Sequence, residues 1–142
     1  MKKWALVALA AAVLAGCGLN RPRERIQASD LLHHNFVLSS VDGVAVAARS
    51  GNPPNLEFGE KMHVSGAMCS RFFGQGQLAD GVLTVKNLAT TRMTCADAQR
   101  NRWGRTIRAL LQNGAKVTLS AQRLTLSDGD HTLVYTLRDW VQ

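Results

Sequence analysis

Two groups of residues in this chain have types and spacing suited to covalent chemistry, and both centre on cysteine. The first is Leu14-Ala15-Gly16-Cys17, which follows Lys2, Lys3 and an apolar run of eleven residues over 4–14. Eleven apolar residues are too few to cross a bilayer core, which takes about 20 in a helix. The run therefore reads as a secretory leader and stays out of the fold. Small residues at Ala15 and Gly16 let a peptidase reach the bond before Cys17. This is the pattern of a bacterial lipobox, in which Cys17 becomes the mature N-terminus with acyl chains on its sulfur and its amine. Two or more chains anchor stably, whereas one is marginal. The plainer alternative is an ordinary signal peptide with Cys17 there by chance. Gly18 follows the cysteine. By analogy with enteric-type sorting, in which Asp at that position retains a lipoprotein in the inner membrane, Gly18 points to the periplasmic face of the outer membrane.

The second group is Cys69 and Cys95, the even pair left once Cys17 is lipidated. In an oxidising compartment such a pair is expected as a disulfide. It would close a loop of roughly 26 residues, for which chain entropy gives about 3–4 kcal/mol. Two buried free thiols are the alternative. A metal site combining His63 with both cysteines lacks a close ligand pair. Ser65, Ser70, His63, Asp80 and Asp128 are available for acid–base or nucleophilic work, but no spacing among them is diagnostic. No Gly-x-Ser-x-Gly elbow and no His-x-x-x-His pair occurs. Gly74-Gln75-Gly76 lacks the Lys-Ser/Thr and following helix of a phosphate loop. The expectation is a protein without catalytic residues, cofactor or metal.

Removal of residues 1–16 leaves 126 residues with 15 basic and 10 acidic side chains, a net charge of +5. That is one domain, long enough to bury a core. An exported address argues against nucleic acid as the partner. An anionic envelope component suits the charge, as does a merely soluble basic surface.

The elements that must position these residues follow from periodicity. Residues 18–28 are polar and basic, with no apolar period, and read as a tether. Ser29 starts a short helical turn. Strands are expected over 34–41 and 44–46 around the turn Asp42-Gly43, then over 56–58 and 61–65, after a loop carrying Pro53 and Pro54. Residues 67–77 read as a glycine-punctuated loop anchored by Phe72 and Phe73. Asp80-Gly81 turns into a strand over 82–85, and 88–95 is a threonine-rich connector. The one substantial helix runs from the N-cap Asp97 to Gly114, with Trp103, Ile107, Leu110 and Leu111 on one face and Arg100, Arg102, Arg105 and Arg108 facing away. Three strands finish the chain over 117–120, 124–126 and 132–137. The expected fold is α+β: a curved antiparallel β-sheet, resembling an open barrel, packed on one main amphipathic helix.

Several stretches resemble the META-domain family. They are His33-His34-Asn35-Phe36-Val37-Leu38, Asn52-Pro53-Pro54, Phe58-Gly59-Glu60-Lys61-Met62, Gly66-Ala67-Met68-Cys69-Ser70-Arg71-Phe72 and Thr91-Arg92-Met93-Thr94-Cys95. Their order and spacing carry the likeness, which covers about Leu31 to the C-terminus, within a domain placed at 29–142. The resemblance implies a small α+β domain and an envelope stress role, with links to heat induction and novobiocin tolerance. It implies no established catalytic activity. The family's motif cysteines fall on Cys69 and Cys95. The family usually has Asn after the first of them; this chain has Ser70, so no role is carried to that position.

The functional expectation is a lipid-tethered stress protein that binds an envelope protein or an anionic envelope component. The 67–77 loop is the candidate surface, with Arg71, Phe72 and Phe73 as its aromatic and arginine contacts; the alternative leaves both phenylalanines in the core. A second reading is an inhibitor or chaperone-like module that inserts a disulfide-closed loop into an envelope lysozyme or protease.

Overall fold

The structure is a computed structural model; it describes residues 25–49 and 51–138. The expectations placed on residues 1–24, including the leader and Cys17, lie outside the described residues. Nine strands form one antiparallel sheet: β1 (Asn35–Val41), β2 (Val44–Ala45), β3 (Asn55–Phe58), β4 (His63–Ala67), β5 (Arg71–Ala79), β6 (Val82–Thr90), β7 (Ala115–Ser120), β8 (Arg123–Ser127) and β9 (Thr132–Leu137). Helix α1 (Ala28–Leu31) precedes them, and α2 (Ala98–Asn113) joins β6 to β7.

Neighbours in sequence are mostly neighbours in the sheet, and β1 also pairs with β9. That last ladder, from Phe36↔Leu137 to Val41↔Leu133, closes the sheet into a barrel of eight strands, with β2 a two-residue stub beside β1. The curvature expected from the sequence therefore runs to closure. A barrel of about this strand number has an interior that side chains can fill. Alternation along the strands supplies them: Phe36 and Leu38, Leu56 and Phe58, Leu83 and Val85, Leu124 and Leu126, Leu133 and Tyr135 are all buried.

Local chemistry sets the corners. Asp42-Gly43 and Asp80-Gly81 have φ of 50° and 82°, and 52° and 77°, the positive pair that a tight two-residue hairpin requires. Register shifts between Leu38 and Ser40 and between Phe73 and Gln75 bend their strands, as bulges do.

The 67–77 stretch is not a loop. It runs through a short turn at 68–70 into β5, a nine-residue strand of the barrel wall. Its glycines disguise it because they sit at inward positions where the wall is tight. A Cβ on Gly76 would lie 2.7 Å from the Met62 carbonyl oxygen, and one on Gly74 2.7 Å from Val85 Cγ1. The threonine-rich connector likewise begins as strand, since β6 continues to Thr90.

β6 and β7 pair only at Val82↔Lys116 and Leu83↔Ala115. Beyond that point α2 packs on β6. It sends Ile107, Leu110 and Leu111 into the core, as its periodicity predicts. Asp97 caps its first turn, accepting from the N–H groups of Gln99 at 2.9 Å and Arg100 at 3.4 Å. Burial raises the Asp97 pKa, but these N–H groups and the Arg49 guanidinium outweigh it, so the carboxyl is held below its ordinary value. Arg100 does not face away with the other arginines. It is buried and donates to the Ala47 carbonyl at 2.6 Å, tying the segment after β2 to the helix.

Candidate functional site

The turn 68–70, the end of β6 and the middle of α2 meet around the two cysteines. Cys69 and Cys95 are disulfide-bonded, with Cα atoms 5.3 Å apart. Both sulfurs being taken, His63 and the cysteines cannot form a metal site. Asn101 on α2 fixes the second cysteine: its amide donates to the Cys95 carbonyl at 2.8 Å and accepts from the Cys95 N–H at 2.9 Å. The Arg71 N–H donates to Thr91 Oγ1 at 2.9 Å, and the Thr91 N–H to the Arg71 carbonyl at 2.9 Å. The disulfide, the Asn101 clamp and this pair of Arg71–Thr91 hydrogen bonds hold the start of β5, the 91–95 segment and α2 as one unit.

Strand alternation separates the three contact residues expected from the sequence. Phe72 is 2% exposed and belongs to the core, so its assignment as a partner contact is withdrawn. Phe73 points the other way and is 46% exposed, and Arg71 is exposed beside it in the alternation. The ring of His63, on the neighbouring β4, lies 6.5 Å from that of Phe73. Arg71 and Phe73 thus stand on the outer wall of the barrel, on a strand rather than a loop.

A groove of about 240 Å³ opens next to the disulfide, between the turn 68–70, the 90–94 segment and α2. Arg105 and Arg108 line it, as do Thr90, Thr91, Thr94 and the exposed Met93. Among the described residues no carboxylate lies within ion-pair distance of either arginine. The sequence marked these arginines only as an outward face and gave Met93 no role. The signal it held was a stripe of Arg102, Arg105 and Arg108 with no acidic residue on the helix to balance it. A second, wider depression lies beside residues 116–120 of β7 and the exposed ion pair of Arg25 with Asp80, 2.6 Å long.

The residues considered for catalysis are not brought together. His63 and Ser65 lie on β4. Ser70 is buried, its hydroxyl facing Arg108 Nη1 at 3.4 Å. Asp80 pairs with Arg25, and Asp128 accepts from the N–H groups of Asp130 and His131 at 2.9 and 2.8 Å within its own turn. Two acid–histidine contacts that the sequence did not suggest do form: an exposed one between His33 Nε2 and Glu60 Oε2 at 3.3 Å, and a shorter one at the barrel seam. His131 Nδ1 lies 2.8 Å from Asp42 Oδ2, and Asp42 Oδ1 accepts from the Thr132 N–H at 2.7 Å. The hydrogen bond to Asp42 raises the His131 pKa against a smaller cost of desolvation, and the charges of Asp42, Asp128 and Asp130 add to the rise. The His131 bond, then the Thr132 N–H, lower that of Asp42. This pair joins the β1–β2 turn to the start of β9, where the barrel closes.

A family model described as the META domain matches residues 29–140. The chain belongs to the META-domain family. Heat shock protein HslJ of Escherichia coli (strain K12) is 45% identical to it over 139 residues, covering 98% of each chain. A protein structure solved by NMR, 48% identical, superposes with a TM-score of 0.76 over 82% of this chain and 99% of that one. A second NMR structure, of a protein from Burkholderia xenovorans, gives a TM-score of 0.61 at 24% identity over 94% and 98% of the two chains, a likeness of fold alone.

Proposed function

We propose that this META-domain chain is a lipid-anchored envelope stress protein of the heat-shock type, moored through Cys17 to the periplasmic face of the outer membrane, and that it acts by binding rather than catalysis. The leader and the Leu-Ala-Gly-Cys pattern support the anchor. A relative named as a heat shock protein supports the stress role. The observation that carries the binding reading is Phe73: a large apolar side chain left exposed beside Arg71 on a strand braced by the disulfide. Exposed aromatic and arginine side chains on rigid backbone are the usual anchors of protein contacts. The partner is an envelope protein or an anionic envelope component, not nucleic acid. Tolerance to novobiocin follows from outer-membrane integrity and requires no drug site on this protein.

The inhibitor or chaperone-like alternative rested on a loop closed by Cys69 and Cys95. That stretch is largely the β5–β6 hairpin of the barrel wall, so the binding face is the better-supported reading. Complementation tests the proposal. In cells lacking the protein, Cys17→Ser and Phe73→Ser chains are expected to leave novobiocin sensitivity uncorrected, at normal abundance. Full correction by both would overturn the reading.

A further inference from the structure

The groove beside the disulfide has two arginines and a row of hydroxyls among its walls. Arg105 and Arg108 supply guanidinium N–H groups, and Thr90, Thr91 and Thr94 supply hydroxyls. Thr91 Oγ1 accepts from the Arg71 N–H and still carries a proton of its own to donate. Among the described residues no Asp or Glu lines the groove. Two guanidiniums with hydroxyls beside them suit an oxyanion, since guanidinium N–H groups match the geometry of phosphate.

Gly104 is the second observation. It lies in the middle of α2, where glycine costs about 1 kcal/mol against alanine. Its packing does not demand glycine: a Cβ there would meet Arg108 Nη1 at 3.5 Å and Met68 Cγ at 3.6 Å, ordinary contacts both. Gly104 itself lines the groove, and a methyl there would stand against the Arg108 guanidinium.

We propose that this groove is a phosphate-binding site, taking a phosphate group carried either by a lipid headgroup or by a soluble molecule. Arg105 and Arg108 hold the charge, the threonine hydroxyls share the remaining oxygens, and Gly104 makes room. The exposed Met93 at the rim favours the lipid source, because a headgroup phosphate arrives next to apolar glycerol and acyl carbon. The site deepens the anionic-partner side of the proposed function, and rests on that reading only for where the phosphate is found. Phe73 is not among its walls, so the two stand or fall separately.

The test is an amide NMR titration of the full chain carrying Cys17→Ser, with inorganic phosphate in one arm and phosphatidylglycerol vesicles in the other. Chloride at matched ionic strength is the control. Saturable shifts at Thr91, Thr94 and Gly104 are expected. Arg105→Gln and Arg108→Gln should each weaken binding at least about tenfold, the size of one charge-assisted hydrogen bond; the melting temperature should be unchanged in Arg105→Gln, whereas Arg108→Gln also removes the 3.4 Å contact to the buried Ser70 hydroxyl. Gly104→Ala should weaken binding several-fold while raising the melting temperature, a combination that a purely structural role would not give. Shifts with vesicles alone assign the phosphate to lipid; shifts in both arms show that the free ion suffices. No saturable shift in either arm, equal shifts with chloride, or shifts that persist in an Arg105→Gln/Arg108→Gln chain would overturn the proposal.

Discussion

The side chain of Asn101 holds Cys95 by both of its backbone groups, at 2.8 and 2.9 Å, and so fastens the disulfide to helix α2. The bond between the cysteines joins the turn before β5 to the 91–95 segment; Asn101 is what ties that segment to the helix. Asn101→Ala leaves a carbonyl and an N–H without these partners. The expected cost is about 1–3 kcal/mol, for two hydrogen bonds each worth about 0.5–1.5 kcal/mol. Denaturant unfolding measures it. Larger changes in amide exchange at residues 91–95 than in β1 or β9 would place the loss where the clamp acts.

Gly76 is expected to behave unlike Gly104. A Cβ at position 76 would lie 2.7 Å from both the Met62 carbonyl oxygen and Val64 Cγ2, inside contact distance of backbone that cannot move away cheaply. Gly76→Ala should destabilise the barrel by about 1–3 kcal/mol, the usual cost of overpacking. Thermal melting checks it, and an unchanged melting temperature would mean that the wall is looser there than described.

These glycines also explain what could be read from the sequence and what could not. The turns Asp42-Gly43 and Asp80-Gly81 and the helix between Asp97 and Gly114 were legible because their signals are local: a turn dipeptide, a cap, an apolar period. β5 was not. Its inward positions are Phe72, Gly74 and Gly76, so the alternation that marks a half-buried strand is hidden behind residues that usually mark loops. The cysteines mark this region, but composition alone leaves its two phenylalanines equally suited to surface and core. Only the strand, with its period of two, sends Phe72 in and Phe73 out. Barrel closure was also out of reach, since β1 meets β9 from the far end of the domain. The Asp42–His131 contact spans 89 positions and leaves no local trace.

That contact should make the barrel seam sensitive to pH. The His131 pKa is raised from its ordinary 6.5. Its stabilisation is therefore complete below 6.5 and is lost as pH rises through the raised value. The Asp42 pKa is lowered from 3.8, so its contribution is present above 3.8 and is lost as pH falls through the lowered value. Stability from the pair is greatest between those limits. Melting temperatures measured from pH 3 to 9 should fall on the alkaline side for the native chain. His131→Gln should flatten that fall, as should Asp42→Asn; an unchanged alkaline slope in His131→Gln would exclude the pair as its source.

Tyr135 is fully enclosed in the barrel, and burial pushes its pKa well up. No hydrogen-bond partner for its hydroxyl lies among the described residues. A buried polar group without a partner costs about 1–3 kcal/mol. Tyr135→Phe is therefore expected to be neutral or to stabilise by about 1 kcal/mol. Chemical denaturation decides it, and a clear loss of stability would reveal a partner for the hydroxyl.

The binding face is tested most directly by crosslinking in intact, heat-stressed cells. Native, Phe73→Ala and Arg71→Ala chains would be compared at equal abundance and equal melting temperature. If the chain works through this wall of the barrel, the principal adduct of the native protein is lost or sharply reduced in both variants. If both variants keep every adduct, the partner is held elsewhere and the account of this surface is wrong.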